Sequence, residues 1–220
     1  MQRVPEPELM LDTAQACAYA SADFAAPHQR CIELLLAKHP QLPPQGTALD
    51  LGCGPGDVTL RLARALPAWR IDALDGSPAM LALARAACAR AGVQSRVSLH
   101  DVVLPHGSPP RAPYDLLFSN SLLHHLDRPA VLWSAVSRWG RAGSHVFVMD
   151  LLRPGSEADA RALVEQYAAS EREVLQRDFF NSLRAAYEPS EVRAQLGELG
   201  LAHLVLEVVS DRHFIVWGRL

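Results

Sequence analysis

The sequence has almost no lysine: of its 21 cationic residues only Lys38 is not arginine. No basic run gathers those arginines, and the formal net charge is −3. The string of phosphate contacts that a nucleic-acid partner needs is therefore not expected. No stretch of about 18 apolar residues exists, which predicts no helical membrane span and no membrane partner. The opening segment, "MQRVPEPELMLDTAQ", lacks the apolar centre of a secretory leader. The four cysteines, Cys17, Cys31, Cys53 and Cys88, form no C-x-x-C pair, so the spacing of a zinc ribbon or a dithiol redox motif is excluded. These absences together predict a cytoplasmic chain with reduced thiols. There is also no internal repeat and no composition break that marks a second domain.

What is present is an ordinary globular composition, 49% hydrophobic and 20% charged over 220 residues, enough for one domain with a sizeable core. Strand and helix patterns alternate through the middle. Strands are predicted at Thr47–Leu51, Arg70–Asp75, Arg96–Asp101, Tyr114–Asn120 and Ser144–Asp150. Asp57 is placed to cap a helix that carries Val58, Leu62 and Leu66 on one face. Ser77 caps the next helix, with Pro78 at its first position and Gly92 closing it. Another helix starts near Pro129. Such alternation predicts a parallel sheet with helices on both faces. Residues 156–187 read as helical, and Ser190–Leu199 as a helix with Val192, Leu196 and Leu199 aligned. Leu204–Ser210 and Arg212–Arg219 read as an antiparallel hairpin. Before the first strand lie helical stretches at about Leu9–Tyr19 and Pro27–Lys38. The organisation expected is one structural domain: residues 1–45 as a helical lid, then 46–220 as the core, with a helical insertion at about 154–187.

The stretch "ALDLGCGPGDVTL" (Ala48–Leu60) joins the first strand to the first helix of the sheet. Glycine there lets the backbone turn tightly and lets a ligand come close. Dinucleotide sites use G-x-G-x-x-G, with a pyrophosphate on the helix N-terminus. Here Gly52, Gly54 and Gly56 are spaced G-x-G-x-G, and Asp50 stands just ahead of them. A carboxylate suits a cationic ligand better than a pyrophosphate. Two further acids close the next two strands. Asp75 is placed to accept from ribose hydroxyls, and Asp101 from an amino group of a base.

At these residues the chain resembles the class I S-adenosylmethionine-dependent methyltransferases. "LDLGCGPGD" is similar to their first motif, "DALDGSPAML" to the second, "LHDV" to the third and "YDLLFSNSLLHHL" to the fourth. The resemblance covers about residues 46–152, and within the family it leans toward small-molecule enzymes such as the trans-aconitate and ubiquinone-pathway methyltransferases. It implies a Rossmann-like α/β fold: a seven-stranded, mostly parallel sheet of order 3-2-1-4-5-7-6, strand 7 antiparallel, helices on both faces. It implies S-adenosylmethionine as cofactor and S-adenosylhomocysteine as product. Asp50, Gly52 and Gly54 would then lie along the methionine part. Asp75 would hold the ribose, with Gly76 and Ser77 beside it and Met80 on the adenine. Asp101 and Val102 would read the adenine edge, and Asn120 would lie near the methionine end. Met80 also shares a helix face with Leu83 and Ala87, which fits plain core packing.

The fourth motif is not N-P-P-Y or D-P-P-Y, the form that resembles nucleobase amino-methylating enzymes, so a small-molecule substrate is expected and no nucleic acid. His124 and His125 follow the fourth strand, where methyl transfer should occur, and either is a candidate to take the acceptor's proton. The sequence places no third ligand beside them, so no metal is expected. The segments Tyr19–Phe24, with Tyr19 and Phe24 at its ends, and Arg177–Tyr187 are the aromatic lid candidates. Arg153 and Arg184, with Arg177 and Arg212, are candidates to hold an acidic substrate. The reading is methyl transfer to O, N or S, by a monomer or homodimer. Three rivals stay open: a non-catalytic or regulatory binder of the same cofactor, aminopropyl transfer from its decarboxylated form, and an NAD(P)-dependent oxidoreductase. The glycine spacing and the other strand-end acids count against the last.

Overall fold

The computed structural model describes residues 1–6 and 11–220. Seven strands form one sheet of order β3-β2-β1-β4-β5-β7-β6. The strands are β1 (Gly46–Leu51), β2 (Trp69–Asp75), β3 (Val97–Asp101), β4 (Leu116–Asn120), β5 (His145–Leu151), β6 (Val205–Val208) and β7 (His213–Arg219). β1 to β5 pair in parallel, and β7 runs antiparallel to both of its neighbours. All seven residues of β5 are buried, as a central strand covered on both faces requires. The strand order expected from the resemblance is the one observed.

The helices are α1 (Thr13–Ser21), α2 (Ala25–Lys38), α3 (Asp57–Ala65), α4 (Pro78–Ala91), α5 (Ala130–Trp139), α6 (Glu157–Ala168), α7 (Glu173–Ala185) and α8 (Pro189–Glu198). The strand period of two sends alternate residues to opposite faces. Leu49 and Leu51 enter a core with Trp133, Trp139, Val192 and Leu196, under α5 and α8. Ala48 enters a second core with Ile32, Leu35, Leu62 and Phe118, under α2 and α3. Asp50 lies on that second face. A smaller cluster, Leu151, Ala160, Leu163, Leu183 and Ala186, seats α6 and α7 beyond the end of β5.

Several local expectations change. The helix after the glycine turn is not capped by Asp57: Gly56 occupies the N-cap with φ +88°, and Asp57 is the first helical residue. The Asp57 carboxylate instead engages His28 Nδ1 (2.8 Å) and Arg61 Nε (2.9 Å). On α8, Val192 and Leu196 are buried but Leu199 is 36% exposed, because the helix ends before a further turn can bring it inward. On α4 the buried face is Met80, Leu81, Ala84 and Cys88, not Met80 with Leu83 and Ala87. The helical segment 156–187 resolves into α6 and α7. Asp12 caps α1, accepting from the Gln15 amide at 2.7 Å. Leu9 and Met10, the start of the helix expected there, lie outside the described residues.

Candidate active site

In an open parallel sheet a ligand crevice forms at the strand carboxyl ends where the order reverses. Here that point lies between β1 and β4. Two of the turn's glycines are needed for different reasons. A Cβ on Gly52 would meet the Leu122 side chain at 2.9 Å, so the turn packs directly on the loop after β4. Gly54 has φ +53° and nothing within 4 Å of where its Cβ would be, so its backbone faces open space.

Asp75 organises this turn. Its Oδ2 accepts from the Gly54 amide (2.8 Å) and its Oδ1 from the Ser77 amide (2.8 Å). Each carboxylate oxygen keeps further acceptor capacity, so the group is oriented before any ligand arrives. Burial raises its pKa, opposed by the two amides and reinforced by Asp101. Asp50 is 2% exposed and accepts from Thr59 Oγ1 at 2.6 Å. Burial pushes its pKa up to about 7, against the Thr59 hydrogen bond and with Asp75 adding to the rise. Asp101 is exposed at the end of β3, in register with Asp75. The Val102 amide donates to the Asp75 carbonyl (3.1 Å). Gly76 is partly buried. Met80, 6% exposed, donates its amide to Ser77 Oγ. Asn120 ends β4 and donates to Ser121 Oγ (3.1 Å). Ser121 has φ +56°, an uncommon left-handed conformation for a non-glycine residue.

Past Ser121 the chain forms a short 3-10 turn, Leu123–His125. Asp150, near the end of β5, fixes it. Its Oδ2 accepts the Leu123 amide (2.7 Å) and its Oδ1 pairs with His124 Nδ1 (2.6 Å). Asp150 is 1% exposed and His124 3%. Burial alone would raise the Asp150 pKa, but His124 and the amides hold it below the usual carboxylate range. Burial alone would lower His124, but Asp150 and then Glu6 carry it above the ordinary imidazole value. Glu6 reaches in from the N-terminal segment. Its Oε1 lies 3.2 Å from His125 Nδ1 and 3.6 Å from His124 Nε2, and it accepts from Ser182 Oγ of α7 at 2.9 Å. The two imidazole rings stand 4.1 Å apart.

Residues 48–155 match the methyltransferase domain family. A trans-aconitate 2-methyltransferase of Streptomyces avermitilis is 40% identical over 99 residues, which is 43% of this chain and 36% of that protein. The chain thus covers about a third of that curated relative's length. In fold it is similar to a SAM-dependent methyltransferase from Aquifex aeolicus, with TM-score 0.66, 16% identity, and coverage of 94% and 98% of the two chains. It is also similar to the plantazolicin methyltransferase crystallised with S-adenosylhomocysteine, with TM-score 0.67, 11% identity, and coverage of 94% and 90%. Residues 48–155 thus carry a methyltransferase domain, and the chain has the fold of S-adenosylmethionine-dependent methyltransferases.

The family's cofactor fits the residues present. Gly54 offers backbone without a side chain in the way, and Asp75 offers an oriented carboxylate beside it. Burial and then the charges of Asp150, Asp57, Asp75 and Glu6 push the pKa of Tyr19 on α1 up to about 12. Phe24 packs, with tilted rings, between Tyr19 (4.9 Å) and His28 (5.4 Å), and His28 leads to Asp57 at the start of α3. This chain of contacts laces the N-terminal helices to the glycine turn.

The arginines expected to hold an acidic substrate are otherwise engaged. Arg153 is 7% exposed and its Nη2 pairs with Glu188 (3.0 Å) and Glu191 (2.9 Å), so it ties β5 to α8. Arg184 pairs with Glu157 and packs on Phe180. Arg177 approaches Asp178, and Arg212 lies 3.3 Å over the Tyr167 ring beside Asp211. The sequence reading missed Arg3, Glu6, His28, Asp150 and Ser182. Asp150 carried the same signal as Asp50, Asp75 and Asp101, an acid at a strand end. The other four carried none, because their partners come from distant parts of the chain. Arg3 shows this well: its guanidinium donates to the His124 carbonyl (3.0 Å) and the Leu126 carbonyl (3.2 Å) and stacks on Tyr187.

Proposed function

We propose that this protein is an S-adenosylmethionine-dependent methyltransferase that moves a methyl group to an O, N or S atom of a small molecule. The observation that carries the reading is the open Gly54 backbone beside the oriented Asp75 carboxylate, within a segment that matches the methyltransferase domain family. When bound, the cofactor supplies the activated methyl. The protein supplies position and a site closed to water. Asp75 would hold the ribose hydroxyls, and Tyr19 and Phe24 would close over the reacting centre from α1 and the start of α2. The Glu6–His124–His125 cluster lies next to the strand ends and is where an acceptor would lose its proton.

The relative's substrate, trans-aconitate, does not transfer readily. Every arginine considered for an anion clamp has a carboxylate or ring partner. Around the Glu6–His124–His125 cluster three carboxylates, Glu6, Asp150 and Asp178, gather about the one buried imidazole, His124. A multiply charged anion would be repelled there. We therefore favour a neutral or cationic acceptor carrying a hydroxyl, amino or thiol group. The test is turnover of labelled S-adenosylmethionine over a panel of neutral, cationic and anionic small molecules. Methylation confined to polyanionic acids would overturn the electrostatic reading. Cofactor binding with no turnover over the whole panel would favour the regulatory binder.

A further inference from the structure

The cluster at the 3-10 turn brings two imidazoles and a carboxylate to one point. Asp150 accepts from His124 Nδ1, which leaves the lone pair of a neutral His124 on Nε2. That atom faces a carboxylate oxygen of Glu6 at 3.6 Å. His125 Nδ1 faces the same oxygen at 3.2 Å. The two imidazole nitrogens thus converge on one Glu6 oxygen.

We propose that Glu6, His124 and His125 form a binding site for a divalent cation of the zinc class. One ligand atom from each of Glu6, His124 and His125 lies within 4.8 Å of the others, and His124 Nε2 and His125 Nδ1 are the nitrogens that face Glu6. A tetrahedral ion with bonds of about 2.0–2.1 Å sets its ligands about 3.3–3.4 Å apart, and two of the three separations fall close to that. Two imidazoles and one carboxylate suit zinc or cobalt and do not suit magnesium. Three protein ligands leave a fourth position for a water or an acceptor. The surroundings are those of a metal site. Asp150 fixes the tautomer and ring of His124, and Ser182 hydrogen-bonds the Glu6 carboxylate, the outer contacts that orient metal ligands. Asp150 and Asp178 add negative charge around Glu6. The sequence shows only the histidine pair. The third donor arrives because the first residues thread back along α7, with the Val4 amide on the Arg184 carbonyl and Arg3 on the Ala185 carbonyl.

The proposal shares its location with the functional reading above but does not depend on methyl transfer, and its test needs neither cofactor nor substrate. The full chain is stripped with a chelator and titrated with Zn²⁺, then Co²⁺, at pH 7.5. One equivalent should bind. The Co²⁺ complex should show ligand-field bands and no thiolate charge-transfer band, which separates this site from the free cysteines. Glu6→Gln should weaken binding at least as much as Asp150→Asn, and the latter by about 10–100-fold. Melting of each variant without metal checks its folding. If Glu6→Gln fails to fold, His125→Gln serves in its place, since that side chain is partly exposed. The proposal falls if the wild type binds no zinc, if a thiolate band appears, or if folded Glu6→Gln or His125→Gln binds as the wild type does. S-adenosylhomocysteine binding to the metal-free chain is measured alongside. Binding of it without zinc binding would sink this proposal alone, and zinc binding without it would sink the functional reading alone.

Discussion

The glycine-turn side, where we place the cofactor, and the histidine side, where we place the acceptor, are built in different ways. The cofactor side is local. Asp50, the glycine turn, Asp75, Ser77 and Asp101 come from three consecutive strand ends, and Asp75 is held by backbone amides of the turn it supports. The acceptor side is assembled from afar. Glu6, the 3-10 turn, Asp150 and Ser182 come from four separate parts of the chain, and Glu6 and Ser182 stand 176 positions apart. The Asp75 carboxylate on that side is therefore held by contacts within two adjacent strand ends. The acceptor side depends on the N-terminal segment and α7 being in place.

The largest effect expected from breaking one side alone is at Asp75. Asp75→Ala removes up to two charge-assisted hydrogen bonds to a ribose, about 1.5–3 kcal/mol each. Cofactor affinity should fall roughly 10²-fold or more in calorimetry. The variant should also melt lower, because the Gly54 and Ser77 amides lose their acceptor. Asp75→Asn keeps one acceptor oxygen and should separate the two losses. On the other side, His124→Ala or His125→Ala should cost about 10²-fold or more in rate, once a substrate is known, with S-adenosylhomocysteine affinity within a few-fold of wild type. A variant that lost both together would erase the division between the two sides.

A middle-sized effect concerns Asp50. In the folded chain it keeps its proton to about pH 7, against 3.8 for an ordinary aspartate. A carboxyl raised in this way stabilises the fold fully at low pH, and that stabilisation is lost as pH rises through 7. Between pH 5 and 8 the wild type should lose about 2–3 kcal/mol relative to Asp50→Asn, which cannot ionise. Denaturant melts of both proteins at the two pH values measure this. Parallel losses in the two proteins would show that Asp50 is already ionised in the fold.

The same contrast sets what could be read from the chain. The alternation of strands and helices and the acids at three strand ends follow from period and punctuation, which are short-range, and the strand order follows only from the family resemblance that the motifs carry. Asp57 was misread as a cap because the turn before it places Gly56 in the left-handed conformation and brings His28 to its carboxylate, a contact 29 positions away. Arg153 looked like a free cation at a strand end, until α8 brought Glu188 and Glu191 to it. His124 and His125 were visible as candidates, but their shared carboxylate was not. No local pattern announces that residue 6 will reach them.

The smallest effect expected is in the covering elements. Residues 11–30 and 154–187 should gain protection from hydrogen exchange when cofactor and substrate bind, more than β1 to β5 do. Unchanged exchange in both segments at saturation would remove them as the lid and leave the acceptor side as rigid as the cradle.

The most direct test of the account is titration calorimetry of the wild type with S-adenosylmethionine, S-adenosylhomocysteine and NAD under one set of conditions. The glycine spacing and the oriented Asp75 predict that both S-adenosyl ligands bind with one-to-one stoichiometry and that NAD gives no heat above dilution. Preferential binding of NAD would contradict it.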